Sequence, residues 1–233
     1  FAFFNQVPEG GRGSKPQETI ASPLAEQQQR KVNLEIARLR VELAKPVDEG
    51  PEVERWARNI SVGGQAWNVL EPGAMKSSGG SKFTKLEDQS ILVGGANPGK
   101  DIYDLQLRTD QVGLTTVRLQ ALTHPSLPGG GPGRHTNSNF VLSEFELTVV
   151  SVKDPGQSQV VKFNQARAEY SQQNYEIKKA IDGTVANNNG WAVDGPTRKK
   201  PVTAIFAAAV PFGYEGGSEL RFRLRHEASF GTH

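Results

Sequence analysis

A chain of 233 residues is long enough to bury one sizeable core, or to form a large β domain with an appendage. Its 27 Lys and Arg against 25 Asp and Glu leave a formal charge of +2, too balanced for bulk attraction to nucleic acid or an anionic membrane. The absence of cysteine excludes disulfides, zinc ribbons and a thiol nucleophile, while 25 Gly and 14 Pro beside only 36% hydrophobic residues favour short strands and many turns.

Residues 1–21 open with Phe1-Ala2-Phe3-Phe4 and run through Gly10, Gly11 and Gly13 to Pro16 without sustained periodicity, so an extended leader is expected. Phe at position 1 and a sole methionine at Met75 suggest a segment of a longer polypeptide. Ser22 as N-cap, Pro23 at the first helical position, and Val32, Ile36, Leu39 and Leu43 at helical spacing predict a helix over 22–45, closed by Lys45 and Pro46. Its single apolar stripe asks for one partner, either the following domain or a neighbour. Residues 46–55, with two prolines and several acids, read as a linker. No window approaches the roughly 18 apolar residues of a membrane span.

From residue 56 onward the pattern becomes short alternating runs between Gly- and Pro-rich punctuation, which predicts an all-β jelly-roll sandwich over 56–233. The expected strands are Ala66–Leu70, Lys82–Leu86, Ser90–Val93, Tyr103–Leu107, Leu114–Leu122, Phe140–Val150, Gln159–Phe163, Val202–Ala207 and Glu219–His226. In one of them Phe145, Leu147 and Val149 share a face opposite Glu144, Glu146 and Thr148. In the last, Leu220, Phe222 and Leu224 oppose Arg221, Arg223 and Arg225.

Glu144 and Glu146 share a face on one strand, whereas glycosidase carboxylates flank a cleft from different elements, so catalysis there is not expected. Ser143 lacks a nucleophile elbow and a His–Asp arrangement. Gly129-Gly130-Gly131-Pro132-Gly133-Arg134-His135 has glycines enough for a phosphate loop, but Pro132 removes a donor and no Lys-Ser/Thr follows. A surface loop is the simpler reading, in which Arg134 and His135 either meet sugar hydroxyls, carboxylates or sulfates, or brace the loop. The ladder Arg221, Arg223, Arg225 suits an acidic or sulfated glycan, or a solvated face paired with acids. Trp67, Tyr103 and Trp191 are candidate sugar-stacking rings, with Trp191 better suited to the core or to anchoring a loop. No element of nucleic-acid-reading type is present, so that partner is not expected.

Two local signatures resemble a known family. Ala166-Arg167-Ala168 with Ser171, then Ala180-Ile181-Asp182-Gly183 and Gly190-Trp191, resembles the opening of galactose-binding-like, discoidin-type β-sandwiches. Asn139 through Leu147, with Ser143-Glu144 at its centre, resembles the strand that closes that fold. Their order here is reversed, which implies a circularly permuted sandwich joined through 151–159.

A longer set of runs also resembles the β domain of large planctomycete cytochrome-c-domain proteins: Phe1 to Asn5, Asp88 to Leu92, Arg118 to Leu122, Gly131 to Arg134, Asn139 to Phe145, and Gly190 to Val193. The resemblance implies a non-catalytic carbohydrate-binding module for a polysaccharide, acidic or sulfated, in a periplasmic or extracellular multidomain protein. The galactose-binding-like resemblance also implies a structural calcium near Asp182 and Glu144, with carbonyls around 183–188 completing the oxygen shell, although Asn187-Asn188-Asn189 could equally make an Asx turn without metal. The competing expectation is a structural module that docks neighbouring domains of the parent protein.

Overall fold

The computed structural model describes residues 23–43 and 67–228; the expected leader, Ser22, the linker and Ala66 lie outside the described residues. The chain divides into two units, Phe1–Val47 and Asp48–His233. In the first, α1 spans Pro23–Leu43, close to the range the stripe predicts. Val32, Ile36 and Leu39 are exposed, and local pairs such as Gln29 to Asn33 at 3.1 Å decorate the polar faces. No helix among the described residues is long and apolar enough to cross a membrane.

The second unit is all-β. Its strands are β1 (Pro72–Ser77), β2 (Ser81–Lys85), β3 (Ile91–Gly95), β4 (Asp101–Thr109), β5 (Leu114–Ala121), β6 (Val141–Leu142), β7 (Glu144–Ser151), β8 (Ser158–Val161), β9 (Phe163–Ala168), β10 (Trp191–Ala192), β11 (Val202–Phe212) and β12 (Ser218–His226). They form a five-stranded sheet ordered β1-β4-β12-β7-β8, a three-stranded sheet β5-β11-β9, and the pairs β10-β6 and β2-β3. Every paired strand is antiparallel.

The two larger sheets meet face to face. Alternation on β7 and β12 sends Phe145, Leu147, Val149, Leu220 and Phe222 into the core, where Phe145 stacks on Phe206 of β11 with centroids 4.2 Å apart. Phe163 and Phe222 extend that aromatic cluster. Each such side chain contributes about 1.5–3 kcal/mol by leaving water, which is what holds the layers together. The opposite faces carry the charged residues.

Several strands depart from expectation. The run Phe140–Val150 is broken at Ser143 into β6 and β7, residues 67–70 form no strand, and β11 runs on to Phe212. β1, β9 and β10 were not anticipated. β1 begins with Pro72-Gly73, and Pro is tolerated because, among the described residues, the strand sits at a sheet edge and pairs with β4 alone. β9 is likewise an edge strand, and only part of it reaches the core.

One close approach fixes the loop before β6. A Cβ on Gly133 would lie 2.0 Å from the Asn139 carbonyl oxygen, and one on Gly195 would lie 2.0 Å from that of Ser138. Glycine at both positions lets two chain segments clamp the Ser138–Asn139 backbone from either side. Gly133→Ala is therefore expected to lose about 2 kcal/mol or more in urea unfolding, whereas Gly99→Ala, where an added Cβ meets nothing, stays within about 0.5 kcal/mol.

Candidate functional site

The first candidate lies where β7 begins. A 3₁₀ turn over Ile177–Ala180 buries Ile177 and Ala180. Gly183, at φ 76°, then turns the chain so that its amide and that of Thr184 point at Glu144. Both amides donate to Glu144 Oε1, at 2.7 and 3.1 Å. Asp182 Oδ1 accepts from the Thr184 amide at 2.8 Å, closing an Asx turn.

The Asn189 side-chain amide sits among four oxygens: Asp182 Oδ1 and Oδ2 at 3.0 and 3.1 Å, the Thr184 carbonyl at 2.7 Å and the Lys179 carbonyl at 3.4 Å. An amide has two hydrogens, so this oxygen set offers more acceptors than Asn189 can serve. The Ser143-Glu144 and Asp182-Gly183 pairs are thus spatial neighbours, although the second lies on a loop and not on an adjoining strand.

Glu144 is 5% exposed although it starts on the charged face of β7, because this loop covers it. Burial is the main reason its pKa rises to about 7; the Gly183 amide opposes that shift and the neighbouring Asp182 carboxylate reinforces it. No group of three or more His, Cys, Asp or Glu able to hold a metal occurs among the described residues. Any hard cation here would rely on the two carboxylates plus carbonyls.

A second polar cluster closes one end of the sandwich under the β2-β3 hairpin. Asp101, 4% exposed, accepts from the hydroxyls of Ser77, Ser78 and Ser81 and from the amides of Gly79 and Ile102. Burial alone would raise its pKa, but these donors together hold it down at about 2. Arg134 Nη1 donates to Ser81 Oγ at 2.7 Å and to the Tyr103 hydroxyl at 3.3 Å. Its Nη2 donates to the carbonyls of Gly94, Gly95 and Ala96 at 3.0, 3.1 and 2.7 Å.

Arg134 therefore braces the hairpin, and among the sugar-site candidates it is the one brought into contact with another, Tyr103. The Tyr103 ring packs edge-on to Phe83 and 4.8 Å from His226. Burial lowers the His226 pKa, and its Nδ1 hydrogen goes to the Val141 carbonyl at 2.8 Å. The sequence reading missed Asp101; the surrounding Ser77-Ser78-Gly79-Gly80-Ser81 run, dense in hydroxyls and turn glycines, was the signal that could have found it.

The remaining candidates are dispersed. His135 is exposed and contacts Asn137 Oδ1 at 2.7 Å. Arg221 pairs with Glu219 at 2.6 Å, Arg223 with Asp104 at 2.8 Å, and Arg225 with Glu227 and with Glu146 at 3.4 Å, so the ladder is matched by acids. Trp191 is fully buried; its indole N–H donates to the Tyr170 carbonyl at 3.0 Å and its ring meets Phe140 edge-on. Trp67 lies beneath the Arg118 guanidinium, 4.9 Å from its carbon.

The chain matches no family model, no curated protein and no solved structure.

The Glu144 environment has a pH signature. A carboxyl whose folded pKa of about 7 exceeds its ordinary 4.5 contributes stability that is fully present below pH 4.5 and is lost as pH rises through 7. Urea unfolding in EDTA is expected to show up to about 3 kcal/mol of this loss between those limits, and Glu144→Gln is expected to flatten it.

Proposed function

We propose that the β unit is a non-catalytic carbohydrate-binding module, a circularly permuted jelly roll of galactose-binding type, that holds a polysaccharide for a larger exported protein. The observation that carries this reading is the hydrogen bond from the Gly183 amide to Glu144, 2.7 Å long, which joins the two signatures that resemble the opening and closing of that fold. The pairing of a five-stranded with a three-stranded antiparallel sheet supports it.

A calcium ion fits the chemistry of the loop. The Asp182 carboxylate and the Thr184 and Lys179 carbonyls are hard oxygen donors gathered around the Asn189 amide, and the Glu144 carboxylate lies beside them on the Gly183 and Thr184 amides. A bound divalent cation would neutralise two adjacent carboxylates and fix the loop. Sugar contact then falls to exposed loop groups: His135 lies at the surface, whereas the guanidinium of Arg134 already serves the hairpin. Tyr103 is half-buried, between Phe83 and His226, so a glycan would reach only the part of it left exposed.

Glycan arrays and affinity electrophoresis on neutral, acidic and sulfated polysaccharides test the assignment. The expected result is retention by at least one polymer, weakened by His135→Ala with unchanged melting; no retention across the panel contradicts it. Calcium at about pH 7.5 is expected to raise the melting temperature by several degrees, an increment reversed by EDTA and absent in Glu144→Gln.

A further inference from the structure

The two main sheets are unequal, and the mismatch leaves a space. Strands sit about 4.8 Å apart, so three of them span roughly 10 Å less than five. β11 and β9 lie toward the β7-β8 side, as the Phe145, Phe163 and Phe206 cluster shows, and the inner face of β4 is left without a strand above it.

There an apolar cleft of about 530 Å³ opens beside β5, whose outer edge has no strand partner among the described residues. Phe145, Phe212, Leu220 and Phe222 form its sealed walls, while Leu105, Leu107, Leu114, Val117, Leu119 and Leu224 along it are only half-buried. That volume falls within the range of about 300–1,000 Å³ typical of small-molecule sites.

The charge on the lining is unbalanced. Among the described residues lining the cleft, Arg118 carries the one formal charge; it lies at the rim, exposed on the outer face of edge strand β5 between the inward-facing Val117 and Leu119, and no Asp or Glu is present. Arg118 forms no ion pair with any described residue; its guanidinium lies over the Trp67 ring. A guanidinium held over an aromatic ring still carries five N–H donors in a planar fork, two of which match a carboxylate's two oxygens. The polar remainder, Asn68, Thr109, Thr115, Thr116, Gln111 and Gln120, adds only neutral groups.

We propose that the cleft between the sheets binds a long-chain carboxylate, its alkyl tail lying along Leu105, Leu107, Phe222 and Leu224 and its carboxylate meeting Arg118 beside Trp67. This site is independent of the carbohydrate reading and shares no residue with the Glu144 loop beyond strand neighbours. The tail replaces water against half-buried leucines, and the single basic group selects the sign of the head group.

Calorimetry and tryptophan fluorescence on the full 233-residue chain test the proposal with dodecanoate, dodecanol and dodecyltrimethylammonium, each below its micellar concentration. Dodecanoate is expected to bind saturably at one per chain, and the cationic amphiphile about tenfold or more weakly. Arg118→Gln, an exposed substitution, is expected to weaken dodecanoate about tenfold while leaving dodecanol unchanged. Leu107→Trp is expected to block all three, with the melting temperature recorded to confirm folding. No saturable dodecanoate binding, equal affinity for anion and cation, or an unaltered dodecanoate affinity in Arg118→Gln would each overturn it.

Discussion

The start of β7 is the joint on which the β unit depends. Two successive residues point in opposite directions and each accepts two main-chain amides from distant segments. Ser143 Oγ takes those of Glu227 and Ala228 at 3.1 and 3.0 Å, and Glu144 Oε1 takes those of Gly183 and Thr184. Ser143 itself is fully buried, and its amide donates to the Arg225 carbonyl at 2.7 Å. Buried amides left unpaired cost about 1–3 kcal/mol each, so this short break between β6 and β7 fixes both the end of β12 and the Asp182 loop. Residues with the chemistry of a nucleophile and an acid are, in this geometry, acceptors for backbone.

Much of the remaining polar chemistry is likewise turned inward. Arg134 satisfies hairpin carbonyls, Asp101 collects serine hydroxyls, and the arginines of β12 meet acids beside or across the strand. Exposed pairs of that kind contribute little to stability, about 0–1 kcal/mol each, but they cancel the basic field that the sequence alone suggests. The Glu144 loop and the inter-sheet cleft differ: in one, oxygens outnumber the hydrogens available to them; in the other, a cation lies beside apolar walls without an anion among the described residues.

The sequence carried the parts of the fold that follow from period-two burial. β7 and β12 were legible because one face is sealed against a second sheet, so alternation had to be strict. β1 and β9 were hidden because edge strands satisfy one side only and tolerate Pro, Gly and polar residues. The break at Ser143 was hidden too, since its cause is a pair of amides more than 80 residues away. For the site, Glu144 and Asp182 were reached through a family resemblance and do lie together. The role of Arg134 was open to two readings, because its acceptors are carbonyls, which have no residue signature. Nothing local singles out Arg118, since a cleft created by unequal sheets leaves no pattern along the strand.

Native-state amide hydrogen exchange at Gly183, Thr184, Glu227 and Ala228 tests the Ser143–Glu144 joint at its own hydrogen bonds. If the joint holds the unit together, all four amides exchange as slowly as those in the middle of β7, and Ser143→Ala releases Glu227 and Ala228 selectively. Exchange of these four at the rate of an open loop, with β7 still protected, would contradict it.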